Sequence, residues 1–250
     1  MSFSTLMYHE IREGASFNEH HPSNIDVKQE YNDVLPAPLF VTKESFEEQM
    51  AYLYHNNYHT LTLDEVKDYY YNNKELPKNS VLLTFDDCYQ SIKIFAYPIL
   101  KKYNFHGVAF VVTNWLHENP KDFNPNKSVC LAESELSTMS DVFEYANHTA
   151  SFHQRVNLTT SSLTLSSDEA FSYDLDLCNS KSYITAKDVF AYPFGIYEDR
   201  NVDLLKKKGF KLAFTSVNGI NDKHTNPLLL HRNAIPYFMT METFEKVLQN

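Results

Sequence analysis

The chain has 250 residues, 43% of them apolar, which is enough for one large core and argues against a disordered chain. Its 22 Lys and Arg against 32 Asp and Glu give a formal charge of −10, which argues against nucleic acid or an anionic membrane as the main partner. Three widely spaced cysteines, Cys88, Cys130 and Cys178, form no pattern for a disulfide framework or a cysteine-based zinc finger.

Met1 to Thr5 leads straight into Leu6-Met7-Tyr8-His9, without a basic start or a long apolar run. No targeting segment is expected, and as it stands the chain reads as cytoplasmic or as a secreted protein cut back to its domain. No window approaches the ~18 apolar residues of a spanning helix, so no membrane-spanning segment is expected. Ser4 to His9 predicts a short strand ending in a polar residue. Glu10 to Pro38 follows as a long polar loop, and its His20-His21-Pro22 reads as solvated rather than as a metal site. Thr42 to Glu48 starts a helix in which Ser45 and Glu48 fit a capping box, with Phe46, Met50, Leu53 and Tyr54 on one face. Tyr58 to Leu63 predicts a strand and Asp64 to Tyr71 a helix.

Ser80 to Phe85 is an apolar strand that ends in the paired carboxylates Asp86 and Asp87. Ile92, Phe95, Ile99 and Leu100 mark a helix that Pro98 kinks or limits. Gly107 to Thr113 is a strand buried on both faces. Asn114 to Glu133 is irregular and holds the sole tryptophan, Trp115, either as a packed residue under a surface loop or as the wall of a substrate groove. Ser134 to Met139 predicts a short helix, Val142 to Asn147 a strand that runs into His148 and His153, and Val156 to Ser167 an exposed stretch. Ser167 to Ser180 predicts a helix, Asp188 to Tyr192 a strand entering Pro193-Phe194-Gly195, and Arg200 to Lys208 a helix stopped by Gly209. Lys211 to Val217 and Leu228 to Arg232 predict strands, and Thr240 to Leu248 the closing helix.

Eight strand candidates separated mostly by helices predict an α/β fold: a distorted (β/α) barrel of seven to eight parallel strands in one domain, 1–250. In such a barrel active-site residues collect where strands end. The polar ends here are His9, Asp86-Asp87, His148 and the Pro193-Phe194-Gly195 turn. Paired carboxylates can be a plain turn or helix cap. They can also mark a cation site, because two adjacent Asp repel and burial raises at least one pKa. One Asp and two His make a three-ligand site with an open position, as in catalytic zinc centres. Neighbours on a regular strand face opposite ways, so Asp86 and Asp87 share a site only where the strand breaks into a loop. A carboxylate beside the metal but not bound to it suits a general base.

These residues also carry a family resemblance. Thr84-Phe85-Asp86-Asp87 and His148-Thr149 through His153 resemble the first two motifs of the NodB-homology polysaccharide deacetylases, carbohydrate esterase family four. The His148 to His153 spacing, one residue longer than the commonest form, is similar to the poly-N-acetylglucosamine deacetylase branch. So are Met7-Tyr8-His9, Tyr173-Asp174-Leu175 with Ser180-Lys181, Phe190 to Gly195, and Leu230-His231-Arg232. The resemblance runs from Leu6 to Leu248. It implies a metal-dependent hydrolase removing N-acetyl groups from an N-acetylglucosamine polysaccharide, with Zn2+ or another divalent ion such as Co2+, Ni2+ or Fe2+ as cofactor. It implies Asp87, His148 and His153 as metal ligands, Asp86 as general base, the Phe194 backbone N–H at the oxyanion, and His9 at the mouth of the site. The partner implied is the N-acetylated glycan, with no protein partner, and the family commonly acts outside the membrane.

Three departures from the pattern stand out. Cys88 occupies a usual Gly position; it is harmless if its φ is negative and strained by about 1 kcal/mol or more if φ is positive. The Arg that usually precedes the Pro-aromatic-Gly turn is replaced by Ala191 and Tyr192, and Arg232 is the candidate substitute. The general acid is open between neighbours: if Arg232 faces inward, His231 faces out. A glycan-binding module on the same barrel and a deacylase of a small N- or O-acyl compound are the rival functions.

Overall fold

The computed structural model describes residues 1–21 and 23–249; Pro22 of the His20-His21-Pro22 stretch and Asn250 lie outside the described residues. The frame is a sheet built from β1 Phe3–Tyr8, β2 His59–Thr60, β3 Ser80–Asp86, β4 Gly107–Val111, β5 Phe143–Asn147, β6 Ala186–Ala191, β7 Leu212–Phe214, β8 Ile220–Asn221 and β9 Asn233–Ala234. Its order is β7-β6-β5-β4-β3-β1, all parallel; β2 adds to β3, β9 runs parallel to β1, and β8 runs antiparallel to it.

The strands are buried on both faces and sort their side chains by parity. Leu82, Val108, Phe110, Ala146, Val189 and Leu212 form one cluster. Val81, Leu83, Phe85, Ala109 and Val111, on the other face, pack with Phe46, Met50 and Leu53. Those three lie on α1, Lys43–His55. A third cluster joins Phe190 and Ala213 to Phe171 and Leu175 of α4 (Asp168–Asn179) and to Leu205 of α5 (Asp199–Lys207). The other two longer helices are α2, Leu63–Tyr71, and α6, Met241–Gln249; α3, Tyr97–Lys102, is a short one.

Several local expectations shift. The cap of α1 is Thr42, whose hydroxyl accepts from the Ser45 N–H at 3.2 Å, so Ser45 lies inside the first turn and Tyr54 is exposed. The capping box belongs instead to α2: Thr62 N–H donates to Glu65 Oε2 at 2.8 Å, and Glu65 N–H donates to Thr62 Oγ1. Pro98 does not end this helix: it falls inside a continuous helical run, directly after a π-helical turn at Ile92–Ala96 that accommodates its missing N–H.

The 10–38 segment is not a bare loop. Glu10–Arg12 pairs in parallel with Phe40–Thr42, and Ser23–Asp26 pairs with Val34–Leu35 and Ser128–Val129. Strands of two to four residues are too short to show a period in sequence. The strand expected at Leu228–Arg232 is also absent. Leu230 bridges β7 through Ala213 and Thr215, while Asn233 and Ala234 pair with β1. This segment spans the gap between the two edge strands and closes the barrel, so each half pairs with a different neighbour and neither forms a long ladder.

Candidate metal and catalytic site

Register brings the polar strand ends to one level. Tyr8 pairs with Phe85, Asp86 with Phe110, and Asn147 with both Val111 and Phe190. His9, Asp86 and His148 therefore leave their strands side by side. Asp86 shares the inner parity of Leu82 and Thr84. The chain then breaks: Asp87 has φ 73° and Cys88 φ 54°. That left-handed turn swings Asp87 back toward the same site, as a carboxylate pair at a strand end requires. Hydrogen bonds hold the turn in place: Asp87 N–H donates to Phe110 O, Leu131 N–H to Cys88 O, and the Cys130 thiol to Asp87 O.

Among the described residues, eight non-glycine residues have positive φ. Four are asparagines, which tolerate that region; the others are Asp87, Cys88, Thr149 and Phe194, all at this site. Of the two cases open for Cys88, the strained one therefore holds, and its backbone is of the kind glycine serves best. Gly195, with φ 68°, is held to glycine more tightly, because an added Cβ would stand 1.8 Å from Ser216 Oγ. We predict that Cys88→Val, although similar in volume and polarity, destabilises the chain by about 2 kcal/mol or more, since a β-branched residue fits poorly at positive φ. Cys88→Gly is expected near neutral, because relieving about 1 kcal/mol of backbone strain is offset by the lost buried sulfur and a freer unfolded chain. Urea unfolding of both variants checks this; a well-tolerated Val would contradict the left-handed turn.

Asp87, His148 and His153 each offer one ligand atom, and these atoms lie within 4.8 Å of one another. His153 Nε2 is 3.3 Å from Asp87 Oδ1, and His148 Nε2 is 3.8 Å from it. All three residues are at most 5% exposed. Asp87 Oδ1 is buried and accepts no hydrogen bond among the described residues. Burial, and then the neighbouring Asp86, push the Asp87 carboxyl well above its usual range; burial keeps both imidazoles neutral. The donor set thus fits a divalent cation, which would satisfy the orphan oxygen and use both lone pairs. His148 Nδ1–H donates to Ala191 O at 2.8 Å, which fixes the tautomer with Nε2 facing the site.

The loop between the two histidines is set by Asp174 of α4. Its carboxylate accepts from the Ala150 N–H at 2.7 Å, the Ser151 N–H at 2.9 Å and the Ser151 hydroxyl at 2.7 Å. With Thr149 at φ 74°, these bonds curl the five-residue step so that both rings converge, 4.8 Å apart. Trp115 is fully buried and packs on His153 with ring centres 4.5 Å apart, so it is a packed residue that backs this imidazole at the cavity wall. Phe194 covers the other side of His153 at 4.3 Å.

Asp86 sits beside this group. Arg232 Nη1 donates to Asp86 Oδ1 at 2.6 Å, and Arg232 Nε donates to Thr215 O at 2.8 Å. Arg232 is buried, and its guanidinium lies over the Phe110 ring. It thus stands where the Arg missing before Pro193 was expected to act. Burial alone would raise the Asp86 pKa, but the Arg232 charge, then His148 and His9, hold it well below the usual carboxylate range. His9 Nε2 lies 3.7 Å from Asp86 Oδ2, and burial lowers its pKa to about 4, so it is neutral at pH 7.

His231, expected as a rival general acid, is not brought in. Its ring packs against Gly219, its backbone pairs with the Asn221 side chain, and it lies outside the cavity, as the inward Arg232 dictates. His20 and His21 are exposed and take no part. The cavity, of about 250 Å³, is lined by His9, Asp86, Asp87, His148, His153 and Phe194. Its outer wall, Tyr31 to Leu39, comes from the excursion after β1 and carried no motif in sequence.

A further acid lies just behind. Glu10 is buried beside Ser91 and Ser128, with Arg12 Nη2 3.7 Å away; burial raises its pKa to about 7. The folded chain therefore holds this proton up to about pH 7, whereas the unfolded chain loses it in the ordinary glutamate range. Stability falls as pH rises across that window. Glu10→Gln is expected to remove this slope, so that its stability relative to wild type improves by about 2–3 kcal/mol between pH 4 and pH 8. Urea midpoints at a series of pH values test it; a pH-independent difference would contradict the assignment.

The match to known families agrees with this geometry. Residues 73–213 match the family model described as polysaccharide deacetylase. The chain belongs to the polysaccharide deacetylase family. This family is metal-dependent, and Asp87, His148 and His153 are the site this member offers. A poly-beta-1,6-N-acetyl-D-glucosamine N-deacetylase of Staphylococcus aureus is 30% identical over 180 residues, covering 70% of this chain and 60% of that protein. The chain thus spans about 60% of the length of the curated relatives it matches. The Streptococcus pyogenes deacetylase PplD, solved in complex with acetate, superposes with TM-score 0.79 at 22% identity, covering 100% of this chain and 99% of PplD. IcaB from Ammonifex degensii gives 0.71 at 20% identity, over 99% and 96% of the two chains. Those two likenesses concern the fold, the distorted (β/α) barrel.

Proposed function

We propose that this chain is a metal-dependent hydrolase that removes N-acetyl groups from a β-1,6-linked N-acetylglucosamine polymer. The observation that carries the reading is the division of labour at β3. Asp87 faces two neutral imidazoles, while Asp86, one residue away, is held ionised by Arg232 and stays out of the ligand set. The similarity to the staphylococcal N-deacetylase supports the choice of substrate.

Asp87, His148 and His153 would hold the ion, and zinc suits one carboxylate with two imidazoles, with Co2+, Ni2+ or Fe2+ as substitutes. When bound, a divalent metal supplies Lewis acidity to the amide carbonyl and makes water more acidic. Asp86 takes the proton of the attacking water. Arg232 ensures that Asp86 is ionised, although it weakens Asp86 as a base. Once protonated, Asp86 is for the same reason a strong acid and gives the proton on. His9, 3.7 Å away, is the group placed to carry it to the leaving nitrogen. The Phe194 backbone N–H, on the cavity wall, stabilises the oxyanion. The carbon–nitrogen bond breaks, water oxygen stays on the acyl carbon, and acetate and an amine leave. The amine is cationic at neutral pH, which suits a polymer at the cell surface, where the product would adhere to anionic material.

The rival reading, a glycan-binding module without turnover, draws on Cys88, the missing Arg and the open identity of the general acid; Arg232 at Asp86 weakens the second of these grounds. The test is acetate release from β-1,6-linked N-acetylglucosamine oligomers by the zinc-loaded chain, with metal content measured on the same sample. Acetate at a rate that follows metal content is expected. A fully loaded chain that releases none would overturn the proposal.

A further inference from the structure

The turn that brings Asp87 into the site carries a second polar group with it. After the left-handed step at Asp87 and Cys88, Tyr89 bridges Cys130 in antiparallel fashion, and its carbonyl accepts from the Ile92 N–H at 3.0 Å. The Cys130 thiol and the Leu131 N–H hold the carbonyls of the two residues before it. The backbone of Tyr89 is thus pinned on both sides. Its ring is fully buried, yet it lines the cavity together with Asp87.

The Tyr89 hydroxyl is out of place for a residue that only packs. It is cut off from solvent and makes no hydrogen bond among the described residues. A buried hydroxyl without a partner is destabilising, and phenylalanine would fill the same space without that penalty. Of the acids around it, Glu10 is already served by the Ser91 and Ser128 hydroxyls. Asp87 is not: its Oδ1 is buried and likewise without a hydrogen bond. Burial and Asp86 raise the Asp87 pKa, and the Tyr89 hydroxyl is the foremost influence in the other direction, so it lies within reach of that carboxylate. A donor and an acceptor, both orphaned, therefore stand together at one turn. A cation uses part of the carboxylate's capacity to accept, and a donor on the rest fixes how the ligand faces its metal.

We propose that Tyr89 is a positioning residue for the metal: its hydroxyl donates to the Asp87 carboxylate when that carboxylate holds an ion, and so sets the angle at which Asp87 meets His148 and His153. This rests on the metal site proposed above and adds a residue to its support. Tyr89→Phe removes the hydroxyl and keeps the ring. Co2+ is titrated into wild type and variant, followed by quenching of Trp115 and by the visible absorption of the bound ion. Affinity is expected to fall about tenfold in Tyr89→Phe, with the absorption bands shifted as the ligand angle relaxes. The melting temperature in a chelator is expected to stay level or rise, because the hydroxyl lost there has no partner. In the Asp87→Ala chain the same change should cost no further affinity, since the group it orients is gone. Unchanged affinity in Tyr89→Phe would overturn the proposal, and a lowered melting temperature beside it would show that the hydroxyl serves packing alone. A tenfold loss that persists without Asp87 would also overturn it. Acetate release by wild type separates the two readings. Metal uptake that depends on Tyr89, without acetate, keeps this residue's role and removes the deacetylase reading; acetate release with uptake indifferent to Tyr89 does the reverse.

Discussion

Asp86→Asn is expected to lower acetate release by about a thousandfold while the chain still takes up metal. The two halves of this expectation come from different contacts. Asp86 lies outside the ligand set, so uptake at Asp87, His148 and His153 should persist. It is the ionised carboxylate nearest to His9 and His148 that is not itself a ligand, so its loss removes the proton acceptor. Asn keeps an oxygen for Arg232 but no charge, which leaves a buried guanidinium without its counter-ion. Breaking such a pair destabilises by about 3–5 kcal/mol, so unfolding must be followed alongside activity. A variant that is folded, loaded with metal and still fast would remove Asp86 from the chemistry. Metal lost together with activity would show instead that Asp86 belongs to the ligand set.

Asp87→Ala is expected to lower metal affinity by at least about a hundredfold, with acetate release falling to background. Only one of the three donors is anionic, so its removal takes away the charge that pairs with the cation as well as a ligand. The readout is built in. Trp115 is the only tryptophan, and its ring lies 4.5 Å from that of His153. Co2+ or Ni2+ at the site should quench its fluorescence in wild type, and much higher concentrations should be needed in the variant. Equal titrations would place the ion elsewhere and undo the assignment of all three ligands.

The two substitutions separate a distinction that sequence alone raised but did not decide. Paired carboxylates at the end of an apolar strand pointed to a charge needing a partner, and adjacent residues on a strand were known to face apart. The left-handed turn at Asp87 and Cys88 resolves this, and the same turn makes Cys88 a strained position rather than a harmless one. No pattern of residues announced it, because a cysteine carries no preference for positive φ.

Long-period features were legible in the sequence because burial dictates them locally. Apolar runs marked β1, β3, β4, β5 and β6, turn residues marked their ends, and polar residues at those ends marked the face that holds the site. His9, Asp86, Asp87, His148 and His153 could therefore be named before their geometry was known. What the tertiary structure decided are relations between residues far apart in the chain. Arg232 reaches Asp86 across 146 positions, and this choice turns His231 outward. Asp174 bends the loop between the two histidines, Arg155 meets Asp33 and Phe194, and short strands tie the 10–38 excursion beside the cavity. Each of these depends on barrel closure and strand register, which are set by the packing of the whole sheet; a polar side chain in a loop has no period of its own from which its partner could be read.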